Sequence, residues 1–273
     1  RYAVGDDGKA KADNVRVVSR GHVVELVANH VWGDATSSLT ADSNGVVMRG
    51  TLKASRSVSQ TLVSRGTMFQ ESGGRFDMGQ AGGEIIPANV AATLVLNDSA
   101  SLAAGKHGFA NTSKVGVDLF IAGAVRTRNT RLTSSISAGA TSITVDDSVG
   151  WAIGDRLVIA SDTDDGTRAQ IVTISGGASP TWVVGAITLA RTAGNRVGNL
   201  SSNAIVKSLS PASPGFVNYI PGNSSVGLLR VSDVRFSDMG SSVAWVGVAA
   251  NTIYQGALGI HHQSGGKCTV RRP

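Results

Sequence analysis

The chain has 273 residues, of which 34 are glycine, 5% are aromatic and only Cys268 is cysteine. A single cysteine excludes a disulfide scaffold and a four-cysteine zinc site, and no apolar run reaches the roughly 18 residues of a membrane span. The net charge of +6 is spread without a block of like charge or interleaved aromatics, so no nucleic-acid partner is expected.

Short aliphatic and β-branched runs, bounded by Gly, Asn, Asp or Ser, predict strands throughout the chain, and helical spacing is nearly absent. In the first half the predicted strands are residues 15–18, 23–27, 46–52, 61–63, 67–70, 92–96 and 117–121. Between Gly45 and Arg131 a short strand, a glycine turn and another short strand recur. This repeat favours stacked coils of a β-solenoid with glycine at the corners, although a sandwich or barrel has similar strand spacing.

The pattern changes between Leu132 and Leu189. Four predicted strands surround a polar loop at residues 161–167, and a Gly-Gly turn begins at Ser175; the strands are residues 142–145, 156–159, 170–174 and 186–189. This spacing predicts a compact antiparallel β unit inserted between solenoid coils. Strands predicted at residues 204–208, 226–231 and 234–236 then resume the earlier pattern.

Several motifs follow one another in a fixed order. They are Gly-Thr-Leu at residues 50–52, Thr-Leu-Val-Leu at 93–96, Leu-Phe-Ile-Ala-Gly at 119–123, Trp-Ala-Ile-Gly-Asp at 151–155, residues 231–240 and Ile-His-His at 260–262. Their order resembles the G8 domain and the right-handed β-helix that follows it in hyaluronan-depolymerising and fibrocystin-like surface proteins. The resemblance implies an extracellular location, at a cell surface or on a virion tail.

Some polar positions depart from the family pattern. Arg235 stands where the family has Glu, Ala193-Gly194 replaces His-Gly, and the last motif reads His-His-Gln. These departures weaken the expectation of the family's activity more than that of its fold.

We therefore predict an all-β chain: a right-handed parallel β-helix, or solenoid, with an inserted small antiparallel β unit. N-terminal strands and the first G8-like coils occupy residues 1–131 in this prediction, and the inserted unit occupies residues 132–200. Residues 201–273 form the resumed coils, which are expected to continue beyond the chain end.

The sharpest catalytic candidate is His261. Because adjacent strand residues point to opposite faces, His261 and His262 are not expected to share a metal. One histidine facing a groove with Asp233 or Asp238 from the preceding coil would permit general acid–base chemistry or sugar hydrogen bonding. The alternative is a histidine stacked in a ladder between coils.

A second candidate is the acidic loop with Asp162, Asp164 and Asp165, which resembles the start of a calcium loop. The spacing is short and no glutamate lies six residues beyond Gly166, so a plain polar hairpin is the alternative. No other cofactor is expected.

Two further sets of side chains bear on glycans. Arg126, Arg128 and Arg131 would bind an anionic glycan or phosphate, or would simply be arginines on a strand face. Paired carboxylates are what glycoside hydrolysis requires, and the residues available are Asp77, Glu84, Asp98 and Asp118. Trp151 and Asp155 are predicted to be structural: Trp151 packs beneath the inserted unit, and Gly154-Asp155 makes a turn into residues 156–159.

These features predict an extracellular structural and recognition module of a larger surface, adhesion or phage tail-type assembly, such as a minor tail protein. Its expected partners are a polysaccharide or cell-surface glycan and other subunits, including copies of itself. The alternative is a hyaluronidase-like polysaccharide depolymerase, and the sequence leaves open whether the chain is an enzyme.

Overall fold

A computed structural model describes residues 16–32, 46–64, 68–80, 82–96, 108–114, 117–163, 165–208, 216–221, 228–239, 244–245, 253–254, 259–260 and 267–271. These residues form strands and one short 3₁₀ helix (Gly166–Arg168), and none of them lies in an α-helix. None therefore lies in a helix long and apolar enough to cross a membrane.

The strands follow one another closely along the chain. In chain order they are β1 (Arg16–Val18), β2 (Val23–Leu26), β3 (His30–Trp32), β4 (Val46–Met48), β5 (Thr51–Ala54), β6 (Gln60–Ser64), β7 (Met68–Gln70), β8 (Arg75–Met78), β9 (Ala92–Leu96), β10 (Gly108–Lys114), β11 (Asp118–Ala122), β12 (Asn129–Arg131), β13 (Ser142–Thr144), β14 (Arg156–Ile159), β15 (Gln170–Ala178), β16 (Thr181–Val184), β17 (Arg196–Asn199), β18 (Ala204–Lys207), β19 (Phe216–Pro221), β20 (Leu228–Ser232), β21 (Val234–Ser237), β22 (Ala244–Trp245), β23 (Ile253–Tyr254), β24 (Gly259–Ile260) and β25 (Lys267–Arg271).

Most strands outside β12–β17 join three parallel sheets in rotation. Sheet A has the order β1-β4-β7-β10-β19-β24, sheet B the order β2-β5-β8-β11-β20-β25, and sheet C the order β3-β6-β9-β18-β21. Each set of three successive strands thus adds one strand to every sheet, and we call such a set a coil. The predicted all-β class with parallel sheets is confirmed.

The core of this unit consists of side chains that repeat at one register position. In sheet B, Val24, Leu52, Phe76, Leu119 and Leu229 are aligned on successive strands, and all are buried. Because successive residues of a strand point to opposite faces, the residues that neighbour these five along each strand point outward. Each coil therefore buries its apolar side chains against those of the next coil.

Glycine occupies the same corner in successive coils because the backbones approach closely there. Gly50 links β4 to β5, and a Cβ atom on it would lie 2.1 Å from the carbonyl oxygen of Ser19. Gly74 links β7 to β8, and its Cβ would lie 2.2 Å from the carbonyl oxygen of Met48. These distances are too short for any side chain, so the corner requires glycine.

Strands β12–β17 form a separate antiparallel sheet with the order β12-β17-β14-β15-β16-β13. The compact unit that contains it runs Ala124–Ser202, and the other unit comprises Arg1–Gly123 and Asn203–Pro273. The antiparallel unit has a core of its own, which includes Trp151 and Trp182 with ring centroids 6.2 Å apart.

Two strand predictions differ from the structure. Residues 46–52 form two strands, because the chain turns a coil corner at Arg49 and Gly50. Residues 186–189 are not a strand. Ile187 is buried and exchanges backbone hydrogen bonds with Gly139 and Ala140 across an irregular turn, while the preceding Thr181–Val184 forms β16.

Candidate functional site

The outer faces of the three parallel sheets differ in chemistry. In sheet A the aligned outer residues Val17, Val47 and Phe69 are apolar. Sheet C carries a row of Thr61, Thr93, Ile205 and Arg235. Sheet B instead carries charged side chains on each of its four central strands, and we call this surface the sheet B face: Lys53, Arg75, Asp77, Asp118, Phe120 and Arg230, flanked by Arg56 and Glu84.

Phe120 lies at the centre of the sheet B face. The guanidinium carbon of Arg75 is 4.5 Å from the Phe120 ring centroid, and that of Arg230 is 5.8 Å from it. Phe120 is only 1% exposed although it does not belong to the contiguous core cluster of the parallel unit. Cations within about 6 Å of an aromatic face are attracted by its quadrupole, so the ring fixes where the guanidinium groups lie.

Asp77 anchors the same surface. Its carboxylate accepts hydrogen bonds from Arg56 Nη2 at 2.5 Å and Arg75 Nη2 at 2.9 Å. The backbone N–H of Gly79 donates a third at 3.1 Å. Asp77 is buried, and charge-assisted bonds of this kind are roughly twice as strong as neutral ones. The two arginines are therefore held in place before any ligand arrives.

Glu84 and Lys53 form the accessible edge of the face. Lys53 Nζ donates to Glu84 Oε2 at 3.0 Å, with 74% of the Glu84 side chain and 26% of the Lys53 side chain exposed. The hydrogen bond and charge of Lys53 hold the pKa of Glu84 below its usual range. This carboxylate stays ionised and open to solvent.

The pKa of Asp118, in contrast to that of Glu84, is raised. Partial burial raises its pKa, although a hydrogen bond from the Leu228 backbone N–H and the charges of Arg75 and Arg230 act against the rise. Asp118 pairs in register with Arg75, and Asp77 pairs with Phe120 two residues further along the strands. The Cα atoms of the two aspartates are thus about 8 Å apart, so both carboxyl groups belong to one local surface.

The histidine candidate cannot be placed, because His261 and His262 lie outside the described residues, as do Asp98 and Asp164. Asp233 and Asp238 are both corner residues in the left-handed region, with φ of 55° and 57°. Each accepts a hydrogen bond at 2.8 Å from the hydroxyl of the serine before it. Asp233 is buried and Asp238 is exposed. Their catalytic role stays a prediction.

The carboxylates of the acidic loop are engaged with nearby groups. Asp162 accepts hydrogen bonds from the backbone and hydroxyl of Thr192 and from the Asn195 side chain. Asp165 caps the 3₁₀ helix through the backbone and hydroxyl of Thr167, which lowers the Asp165 pKa. No group of three His, Cys, Asp or Glu side chains with metal-site geometry occurs among the described residues. Calcium binding here stays a prediction.

The three arginines predicted to bind an anion have different surroundings. Arg126 is 4% exposed and forms an ion pair with buried Asp155. Arg128 donates to the carbonyl of Ser201 and, at 2.9 Å, to the Ser202 hydroxyl. Arg126 and Arg128 thus make contacts inside the antiparallel unit.

Arg131 is the exposed member of this set. It donates to the carbonyl oxygen of Gly194 at 3.2 Å. The structural roles of Trp151 and Asp155 are confirmed: the Trp151 indole donates to the Thr127 carbonyl at 2.7 Å, and Asp155 accepts bonds from Asn199 and the Ala152 backbone.

Sequence reasoning missed the basic half of the sheet B face. Lys53, Arg75 and Arg230 occupy outward positions in Thr-Leu-Lys, Arg-Phe-Asp and Leu-Arg-Val, which alternate with buried residues. That alternation is visible in the sequence. The register that aligns the three segments is not, because residues 53 and 230 are separated by several coils.

No protein-family model matches the chain, and no curated protein matches it. Solved structures similar to part of it include the Pseudomonas phage phi297 tailspike gp61, at 13% identity over 68% of this chain and 26% of that one, with a TM-score of 0.26. Another is the Gp54 tailspike of Acinetobacter baumannii bacteriophage AP22, solved with A. baumannii capsular saccharide. It has 13% identity over 68% of this chain and 32% of that one, with a TM-score of 0.23. The chain thus spans about a quarter to a third of these tailspikes' length.

Proposed function

We propose that the chain is an extracellular recognition module, built as a right-handed G8-type β-helix, that contacts polysaccharide through the sheet B face. It would serve in a larger surface, adhesion or phage tail-type assembly. The rotation of successive strands through sheets A, B and C supports the solenoid part of this proposal.

The observation that carries the glycan proposal is the concentration of charge on one outer face. A polysaccharide is a linear array of hydroxyl-rich rings, and parallel strands about 4.8 Å apart present side chains at regular intervals along the stack. On the sheet B face these side chains are guanidinium, ammonium and carboxylate groups, which donate to or accept from sugar hydroxyls. The aligned outer residues on the first three strands of sheet A, in contrast, are apolar.

The contacts within the face also favour binding. Asp77 and Phe120 hold Arg75, and Asp77 holds Arg56, so little conformational freedom is lost when a glycan binds. Lys53 and Glu84 remain accessible beside them. We expect the sugar to contact these two side chains and the exposed third of Arg75.

A glycan-binding measurement tests this proposal. The chain is titrated against immobilised bacterial capsular and wall polysaccharides, and the glycan that binds is then tested with the double variant Lys53→Ala/Glu84→Ala. Loss of two charge-assisted contacts should weaken binding at least about tenfold. Arg235→Ala removes an exposed arginine from the outer face of sheet C and should leave binding unchanged.

The alternative function, a polysaccharide depolymerase, is favoured by one observation. Asp118 has a raised pKa and Glu84 a lowered one on the same surface, which is the pattern expected of a general acid and its ionised partner. A reducing-end assay on hyaluronan and on bacterial wall polysaccharides tests it. The enzyme alternative predicts turnover by the parent chain, and Asp118→Asn should abolish it while glycan binding persists. Glycan binding by the parent chain without any turnover would contradict this alternative.

The assembly part of the proposal concerns the outer face of sheet A. Val17, Val47 and Phe69 form an apolar row there, and Val17 is 50% exposed. Such a row fits a contact with a second copy of the chain. Light scattering on the purified chain should give a multiple of the 27.9 kDa monomer mass, and Phe69→Glu should return it to the monomer.

A further inference from the structure

An open groove of about 360 Å³ lies on the outer face of the antiparallel unit. Gly198 forms part of its floor, because in the sheet it pairs with Asn129 on one side and with Val158 on the other. Asn129 and Val158 carry side chains and Gly198 does not, so a depression remains between them. Its volume lies within the range of about 300–1,000 Å³ that small-molecule sites occupy.

The wall of the groove is the loop that carries Ser161 and Thr163. This loop is fixed by Asp162, which accepts hydrogen bonds from Thr192 and Asn195. The hydroxyls of Ser161 and Thr163 lie 3.0 Å apart and retain capacity for further hydrogen bonds. The groove therefore combines a small apolar floor with polar groups along one side.

Arg196 supplies a charge at the same groove. It lies directly opposite Arg131 in the antiparallel register of β12 and β17, and both side chains are exposed. Like charges directly opposite one another destabilise a sheet. Arg131 donates to the Gly194 carbonyl, whereas the Arg196 side chain has no hydrogen-bond or ion-pair partner in the described part of the chain. An anion at Arg196 would relieve the repulsion.

We propose that this groove binds an acidic saccharide, a sugar ring that carries a carboxylate. The carboxylate pairs with the Arg196 guanidinium, whose fork geometry matches it. The ring lies over Gly198 and Val158, and its hydroxyls contact Ser161, Thr163 and Asn129. The groove lies in the antiparallel unit and shares no residue with the sheet B face, so this proposal goes beyond the proposed glycan contact.

The test uses octagalacturonate and its fully methyl-esterified form, in which each charged carboxylate is replaced by a neutral methyl ester. Calorimetric titration of the full chain should show binding of the acid, at least about tenfold weaker binding of the ester, and a similar loss for Arg196→Gln. Gly198→Ala should also weaken binding several-fold, because the new Cβ lies 3.1 Å from Val158 Cγ1 and reduces the depression.

Arg156→Gln is the matched control, since Arg156 is an exposed arginine of β14 that does not line the groove. It should bind octagalacturonate as the parent chain does. Equal binding of acid and ester, or equal losses in Arg156→Gln and Arg196→Gln, would overturn the proposal.

A second readout separates binding from folding. The melting temperature of Arg196→Gln should equal or exceed that of the parent, because the substitution removes the repulsion with Arg131. If Arg196→Gln melts at a lower temperature and is partly unfolded under the binding conditions, its loss of binding would reflect unfolding, which would contradict the role assigned to Arg196. Lys53→Ala/Glu84→Ala leaves the groove residues unchanged, and Arg196→Gln leaves the sheet B face unchanged. Each variant therefore tests only one of the two proposals.

Discussion

Arg75 and Phe120 lie on adjacent strands of sheet B, with the guanidinium carbon of Arg75 4.5 Å from the Phe120 ring centroid. The same guanidinium donates to Asp77 at 2.9 Å and to the Gln80 side chain at 3.1 Å. The Phe120 ring is buried on the outward side of sheet B. Its contact with Arg75 joins the Arg75–Asp77 ion pair to the accessible part of the sheet B face. The proposed glycan contact depends on this arrangement.

Phe120→Ala should destabilise the chain by about 3 kcal/mol, because it removes a ring that is 1% exposed and the contacts that the arginines make with it. Urea denaturation followed by far-ultraviolet circular dichroism measures this cost. Phe69→Ala is the control, since Phe69 lies on the outer face of sheet A and is only partly buried. Equal costs for the two variants would show that Phe120 has no special role.

Gly74→Ala tests the coil corner. The added Cβ would lie 2.2 Å from the Met48 carbonyl oxygen, so the backbone must move at a cost of about 2 kcal/mol or more. Gly185→Ala is the matched change, because nothing lies within 4 Å of its Cβ position, and it should alter stability by less than about 0.5 kcal/mol. Thermal unfolding measures the stability of both variants. If Gly74→Ala is as stable as the parent chain, the close backbone approach at this corner is contradicted.

Asp155→Ala should strongly destabilise the antiparallel unit. Asp155 and Arg126 are both buried, so removing the carboxylate leaves the guanidinium charge without its ion-pair partner, at a cost of about 3–5 kcal/mol. The double change Asp155→Ala/Arg126→Met should recover part of this loss, because no buried charge remains. Denaturation monitored by tryptophan fluorescence, to which the core residues Trp151 and Trp182 contribute, measures both variants. Strictly additive effects in the double variant would be evidence against the pairing.

Asp118 makes stability depend on pH. Since its pKa is raised in the folded chain, the protonated carboxyl stabilises the fold fully below the unfolded-state pKa, and this contribution is lost as pH rises through the folded-state pKa. Asp118→Asn can still accept the hydrogen bond from the Leu228 N–H. The variant should therefore melt at a higher temperature than the parent at pH 7 and at the same temperature near pH 3. A difference that does not vary with pH would contradict this role.

Strand positions could be predicted from the sequence where short runs of aliphatic and β-branched residues are bounded by Gly, Asn, Asp or Ser. Residues 156–159 were predicted as a strand and coincide with β14, and residues 92–96 coincide with β9. This pattern failed where irregular backbone buries an apolar residue, as at Ile187, because burial alone does not distinguish a strand from a turn. Glycine corners were predicted correctly, but at Gly50 and Gly74 the cause is close backbone approach rather than positive φ.

The site was less predictable than the fold, because its residues meet through register. Asp77, Glu84 and Asp118 were recognised as available carboxylates, yet nothing local aligns Asp118 with Arg75 across the intervening coil segment. Arg126 was predicted to bind an anion from its place in a basic cluster. Its burial against Asp155 follows from tertiary packing, which the local sequence does not encode.

The most direct test of the glycan-recognition proposal is the affinity of the full chain for the capsular or wall polysaccharide that it binds, measured for the parent, Lys53→Ala/Glu84→Ala and Arg235→Ala. We predict that the double variant loses at least about tenfold in affinity while Arg235→Ala keeps the parent value. Equal affinity in all three chains, with unchanged circular dichroism, would contradict the assignment of the sheet B face as the glycan-binding surface.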